Sequence, residues 1–164
     1  IVGDPQAVAS AAASAEAVRF QDNTENEGAV REFAYAWPAA VSAEPALARA
    51  FTAERDTILA DERREWTETL ADAPEDCGAC RNRSYAMEWK VVANTPRFLS
   101  LSGDFSTYTG GAHGMYGLRS LVWDRDRQVA TDGAALFVSP DALGAALGRK
   151  LCTALNAARE ERRG

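Results

Sequence analysis

Phe98-Leu99-Ser100-Leu101-Ser102-Gly103-Asp104-Phe105-Ser106-Thr107-Tyr108-Thr109-Gly110-Gly111-Ala112-His113-Gly114-Met115-Tyr116-Gly117-Leu118-Arg119-Ser120-Leu121-Val122-Trp123 is the stretch that decides the fold. Apolar residues alternate with small polar ones from Phe98 to Ser102, the period of a strand with one buried face. Phe105 to Thr109 continues the strand past Gly103, where the glycine predicts a bulge or bend. Gly110 to Gly117 turns the chain, and Leu118 to Trp123 forms the return strand.

Upstream, Tyr85, Met87, Trp89 and Val91 alternate with polar neighbours and predict another half-buried strand. Asn94-Thr95-Pro96 is the turn between it and Phe98. Before these strands lies a long helical pattern. Ser42 suits its N-cap, Pro45 its first turn, and Ala73-Pro74 its end. Leu47, Phe51, Ile58, Leu59, Trp66 and Leu70 recur at three- and four-residue steps, which puts them on one face. Glu54, Asp61, Glu62, Arg63, Arg64, Glu65 and Glu68 then belong to the solvated side. Earlier still, Val18 and Phe20 precede the turn-rich Asp22–Gly28. Phe33, Tyr35 and Trp37 follow at period two up to Pro38, which reads as a hairpin.

Downstream, Asp124 to Arg127 is a charged turn, Val129 follows, and Ala135 to Val138 is a short apolar segment. Ser139 and Pro140 open a last helix, with Leu143, Leu147, Leu151 and Leu155 at four-residue spacing. The charged end from Arg159 to Gly164 is expected to fray. Two strands, a long helix, three or four strands and a helix make an α+β fold. The sheet is expected to be antiparallel, with the long helix and the C-terminal helix on one face. Residues 1–16, rich in Ala and Ser, read as a flexible tether, with a short helix as the competing reading. Residues 17–164 read as a single domain, open to a second domain after it in a longer protein.

The 164 residues are 46% hydrophobic and 26% charged, with a net charge of -6. An acidic chain lacks the basic face that phosphates require, which argues against nucleic acid as a partner. No apolar run reaches 18 residues, so membrane contact is expected only through an anchor outside this chain.

Three glycines in Gly110-Gly111-Ala112-His113-Gly114, between Tyr108 and Tyr116, permit positive φ or close backbone approach. They also suggest a nest of amides for an anion. No Lys-Ser/Thr follows, as a phosphate loop needs, and no helix opens there, as a dinucleotide loop needs. Tyr108, Gly110, Gly111, His113 and Tyr116 are therefore the candidate ligand-binding residues. His113 is the one histidine. With no cluster of ligating residues around it, no metal site or cofactor is expected, and its ring is expected to bond main-chain carbonyls and hold the turn.

Cys77-Gly78-Ala79-Cys80 follows a helix and precedes a strand, the reverse of a thioredoxin-type redox pair. No second CxxC exists to complete a zinc site. A structural disulfide between Cys77 and Cys80 is the expectation. Cys152 is then either a buried thiol or paired outside the chain. The four tryptophans read as core, with a glycan-stacking platform as the alternative.

Several of these segments together resemble a bacterial cell-envelope domain family. They are Trp89-Lys90-Val91, Asn94-Thr95, Phe98-Leu99-Ser100-Leu101, Tyr108-Thr109-Gly110-Gly111-Ala112-His113-Gly114 and Trp123-Asp124. The family is shared by the N-terminal region of a peptidoglycan deacetylase, PdaC, and the extracellular region of the anti-sigma factor RsiV. The resemblance spans about residues 17–158 and carries no catalytic motif across. It implies an extracytoplasmic setting, secreted or lipid-anchored, and a non-catalytic binding or sensing role. The partner it implies is a peptidoglycan fragment or a lysozyme-like protein. A hydrolase using His113 and an architectural spacer are the competing expectations.

Overall fold

The computed structural model describes residues 15–163. The tether expected at the N-terminus lies, up to residue 14, outside the described residues. The chain forms two compact units, one running to Ala130 and the other starting at Thr131.

The first unit opens with β1 (Val18–Gln21), β2 (Thr24–Asn26) and β3 (Ala29–Trp37). A helical turn, α1 (Ala39–Ser42), leads to α2 (Pro45–Asp72) and the single-turn α3 (Gly78–Arg81). Then come β4 (Arg83–Asn94), β5 (Phe98–Tyr108), β6 (Met115–Asp124) and β7 (Val129–Thr131). The sheet order is β1-β3-β4-β5-β6-β7, with β2 also on β3. The expected hairpin is present. Glu27 and Gly28 carry φ of 50° and 78°, the consecutive positive values that a tight primed turn demands. Asp22 and Asn23 break its first strand in two, and the Asn23 side chain accepts from the Phe33 amide at 3.1 Å.

The α+β class holds, but the sheet is not wholly antiparallel. β3 and β4 run parallel, with Arg31 opposite Arg83 and Tyr35 opposite Met87. The cause is α2. Its 28 residues span about 42 Å at 1.5 Å per residue, so the helix carries the chain back to the end where β3 began. The next strand must then run the same way, as in any strand–helix–strand crossover. The remaining long pairs, β4 with β5 and β5 with β6, are antiparallel.

Period two sorts every strand between two faces. Phe33, Tyr35 and Trp37 of β3, Met87 and Trp89 of β4, Leu99 and Leu101 of β5 and Trp123 of β6 are buried together with Leu47, Phe51 and Leu59 of α2. Rings meet in sequence: Tyr35 and Trp37 at 5.9 Å, Trp37 and Phe51 at 6.0 Å, Phe51 and Trp89 at 5.0 Å. Each such pair contributes about 0.5–1.5 kcal/mol beyond its buried area. The Trp89 indole donates to the Tyr35 hydroxyl at 3.1 Å, and that hydroxyl donates to Glu54 at 2.9 Å.

Gly103 makes no bulge. The β5 register runs unbroken through it, opposite Trp89 and Arg119. A Cβ there would sit 3.0 Å from the Trp89 ring and 3.1 Å from the Met87 sulfur, so the glycine makes room for packing. The irregularity falls on β4 between Val91 and Ala93, and Val91 is exposed rather than core.

Two expectations for α2 are also corrected. Its N-cap is Glu44, not Ser42; Ser42 instead accepts from the Trp37 indole at 3.1 Å. Its acidic residues are not all solvated. Glu62 is buried and accepts from Arg83 at 3.2 Å, and Glu65 accepts from the same guanidinium at 2.5 Å. Glu54, half-buried, accepts from Arg119 at 2.6 Å. These carboxylates face basic residues on the sheet, and a buried charge persists only when paired. Arg31, 2% exposed, is held in the same way by the Asp22 carboxylate and by Thr24 Oγ1 at 3.2 Å. Burial alone would raise the Asp22 pKa, but Arg31 and Arg63 outweigh it and hold the carboxyl below its ordinary value.

In the second unit, Asp132 caps a short 3-10 turn, Gly133–Leu136. Ser139 caps the helix that follows, α4 (Pro140–Arg163), accepting from the Ala142 amide at 3.1 Å. Gly148 interrupts α4 with φ 44° and ψ -144°, so the leucine spacing does not run along one continuous helix. Cys152 is an exposed free thiol, not a buried one.

Candidate functional site

The glycine-rich turn is built onto the cysteine loop. Cys77 and Cys80 form a disulfide, with Cα atoms 5.3 Å apart. The Tyr108 hydroxyl lies 2.9 Å from the Ala79 carbonyl oxygen and 2.7 Å from that of Gly111, two acceptors for one proton. The Gly111 amide donates to the Ala79 carbonyl at 3.2 Å. Gly110 has φ 92°, and a Cβ on it would stand 3.0 Å from the Cys80 carbonyl oxygen. Only glycine admits both that backbone conformation and that approach. Tyr108, Gly110 and Gly111 are therefore accounted for by docking, and the Gly111 amide is already committed to Ala79 rather than free for an anion.

His113 is exposed, and its Nδ1 lies 3.3 Å from the Gly114 carbonyl oxygen. That is its one hydrogen-bond partner among the described residues, a local contact at the long end of useful geometry. Among the described residues no group of three His, Cys, Asp or Glu side chains is placed to hold a metal ion.

Tyr116, directly after the turn, is 90% exposed. It stands at one wall of a groove of about 550 Å³ on the sheet face turned away from α2. The register explains the groove. Gln21, Ala34, Ala86, Ser106 and Tyr116 lie opposite one another across five strands, and Arg19, Ala36, Glu88 and Asp104 form the adjacent row. Alanines and a serine make a low floor, while longer side chains rise at both ends. Glu88 and Asp104 face each other directly, and Lys90 bridges them at 3.2 Å and 2.8 Å. Those two contacts, Asp104 first, raise the Lys90 pKa.

The groove sets an aromatic wall beside carboxylates and a guanidinium. The four tryptophans are all buried, so none forms a stacking platform; Tyr116 is the aromatic that stands free beside the groove. Sequence reasoning named Tyr116 for its place beside the glycines but missed Arg19, Ala34, Ala36, Ala86, Glu88, Asp104 and Ser106. The available signal was the small residues on the polar phase of β3, β4 and β5. It needs the strand register before it becomes a groove.

A family described as Deacetylase PdaC matches residues 23–116. No curated protein is significantly similar to the chain. Among the solved structures that are distantly similar, two are described. One is a DUF3298 family protein from Pseudomonas aeruginosa PAO1, at 19% identity and TM-score 0.42, covering 71% of this chain and 55% of that one. The other is a DUF3298 member from Bacteroides fragilis NCTC 9343, at 18% identity and TM-score 0.49, covering 91% of this chain and 74% of that one. The chain thus spans little more than half of the first of these structures.

Proposed function

The chain belongs to the Deacetylase PdaC family, and from that premise we propose that it is a non-catalytic, extracytoplasmic binding or sensing module of a bacterial envelope protein. Its ligand on this reading is a cell-wall glycan fragment, held in the groove on the open face of the sheet. The observation that carries the proposal is the groove itself, about 550 Å³ with Tyr116 exposed at its wall. A sugar ring stacked on Tyr116 would bring its hydroxyls toward Asp104, Glu88 and Arg19.

Calorimetric titration with soluble muropeptides checks this, with Tyr116→Ala as the control. Saturable binding that weakens at least about tenfold in the variant is the expected result, the scale of a lost aromatic anchor. No binding at millimolar muropeptide removes the glycan reading. A second reading, a basic lysozyme-like protein as partner, draws on the net charge of -6, which would speed encounter more than it would tighten the complex. A lysozyme titration at low and high salt separates the two.

A further inference from the structure

We infer that the Cys77–Cys80 disulfide is a reducible latch that keeps the Thr109–Gly114 turn ordered. Tyr116 is held by its own pairing with Ser106 in the sheet, so the latch does not rest on the function proposed above.

Two hydrogen bonds and one close backbone approach tie the turn to the cysteine loop. Ala79 lies inside the ring that the disulfide closes. Its carbonyl accepts both the Tyr108 hydroxyl, at 2.9 Å, and the Gly111 amide, at 3.2 Å. Cys80 presents its own carbonyl to the bare α-carbon of Gly110. The segment after the loop has separate anchors. The Trp66 indole donates to the Arg81 carbonyl at 3.0 Å, and the Asn82 side chain accepts from the Val30 amide at 2.8 Å. Opening the bridge removes the covalent tie across Ala79, leaves it held by the loop's own turn bonds, Cys80 amide to Cys77 carbonyl at 3.0 Å and Asn82 amide to Gly78 carbonyl at 3.1 Å, and does not detach Arg81 or Asn82 from the core. Both cysteines are partly exposed, so a thiol reagent can reach them.

The co-reactant is a dithiol. Its thiolate attacks one sulfur, and the Cys77–Cys80 S–S bond breaks through a mixed disulfide. Two electrons pass to the protein, two cysteine thiols take up the protons, and the dithiol closes to its own disulfide. Ala79 then gains backbone freedom, the acceptor of Tyr108 and Gly111 moves, and residues 109–114 lose their fixed partner. Met115 and Tyr116, paired with Thr107 and Ser106 in the sheet, keep their places.

Amide hydrogen exchange followed by NMR on the whole chain, before and after treatment with a dithiol reductant, tests this. Reduction is expected to speed exchange of the Gly111 amide by about tenfold or more while the Tyr35 and Leu101 amides stay within about twofold, local opening rather than unfolding. Tyr108→Phe in the oxidised protein should speed Gly111 by a similar factor. Reducing that variant should add little, because both changes loosen the same junction at the Ala79 carbonyl. Unchanged exchange across 109–114 on reduction overturns the latch. So does loss of protection at Tyr35 and Leu101 alongside the turn, which would make the bridge a global brace, and so does a multiplicative effect in the reduced variant. The readout needs no ligand. A failed muropeptide titration with accelerated Gly111 exchange removes the ligand and leaves the latch.

Discussion

One sheet presents two faces built to opposite rules. Toward α2, β3, β4 and β5 carry Tyr35, Trp37, Met87, Trp89 and Leu101, large side chains packed at ring-to-ring distances. On the other side the same strands carry Ala34, Ala36, Ala86 and Ser106, side chains too short to fill a layer. The first face gains its stability from buried area. The second leaves a groove, and only its rim carries charge and an aromatic ring. The contrast separates residues that hold the protein up from residues available to a ligand, which substitutions can probe one face at a time.

Trp89→Ala should have the largest effect, costing about 3–5 kcal/mol in chemical denaturation, because it removes a buried ring packed on Phe51 and leaves the Tyr35 hydroxyl without its donor. A loss below about 1 kcal/mol would remove the helix face as the main source of stability. Glu62→Leu comes next. It leaves Arg83 buried with Glu65 alone, and the cost of breaking a buried pair is about 3 kcal/mol. Adding Arg83→Met should recover most of that loss; a double-mutant cycle showing no recovery would mean that the pair is not coupled.

Gly117→Ala is expected to cost about 1–3 kcal/mol by overpacking, since its Cβ would meet the Phe105 ring at 2.5 Å. The Asp22→Asn variant tests the charged end of the helix face through pH. The Asp22 pKa is lower in the folded protein than unfolded, so its contribution is fully present above the unfolded value of about 3.9 and is lost as pH falls toward the folded value. The variant should be less stable than wild type at pH 7, with the gap closing below about pH 4. A gap independent of pH would show that the Asp22 charge is not what holds Arg31. Tyr116→Ala should be the smallest, within about 0.5 kcal/mol of wild type. A larger loss would make the open face structural and blur the contrast.

Much of the helix face was legible in the sequence. The alternation of Phe33, Tyr35 and Trp37, and of Met87 and Trp89, fixed which residues share a face, and the three-to-four spacing of Leu47, Phe51 and Trp66 fixed the face of α2. The same alternation extends to Arg31 and Arg83, but period alone does not announce that an arginine at a buried phase will find a carboxylate. Glu62 sits beside Asp61 and Arg63 in an acidic and basic run that reads as solvated. Its burial follows from facing Arg83, 21 residues away. For the candidate site, Tyr108, Gly110, Gly111 and Tyr116 could be picked out as unusual residues, while their division between docking and exposure could not.

The sequence by itself determined the elements, the two phases of each strand and the need for glycine in the Gly110–Gly114 turn. These rest on steric and periodic rules that act within a few residues. Tertiary structure alone decided the parallel run of β3 and β4, the pairing of the buried arginines and the space that Gly103 leaves for Trp89. It also decided the clamp of Tyr108 on Ala79, 29 residues back. Each of these joins segments far apart in the chain, and a local pattern states which way a side chain faces but not what will meet it there.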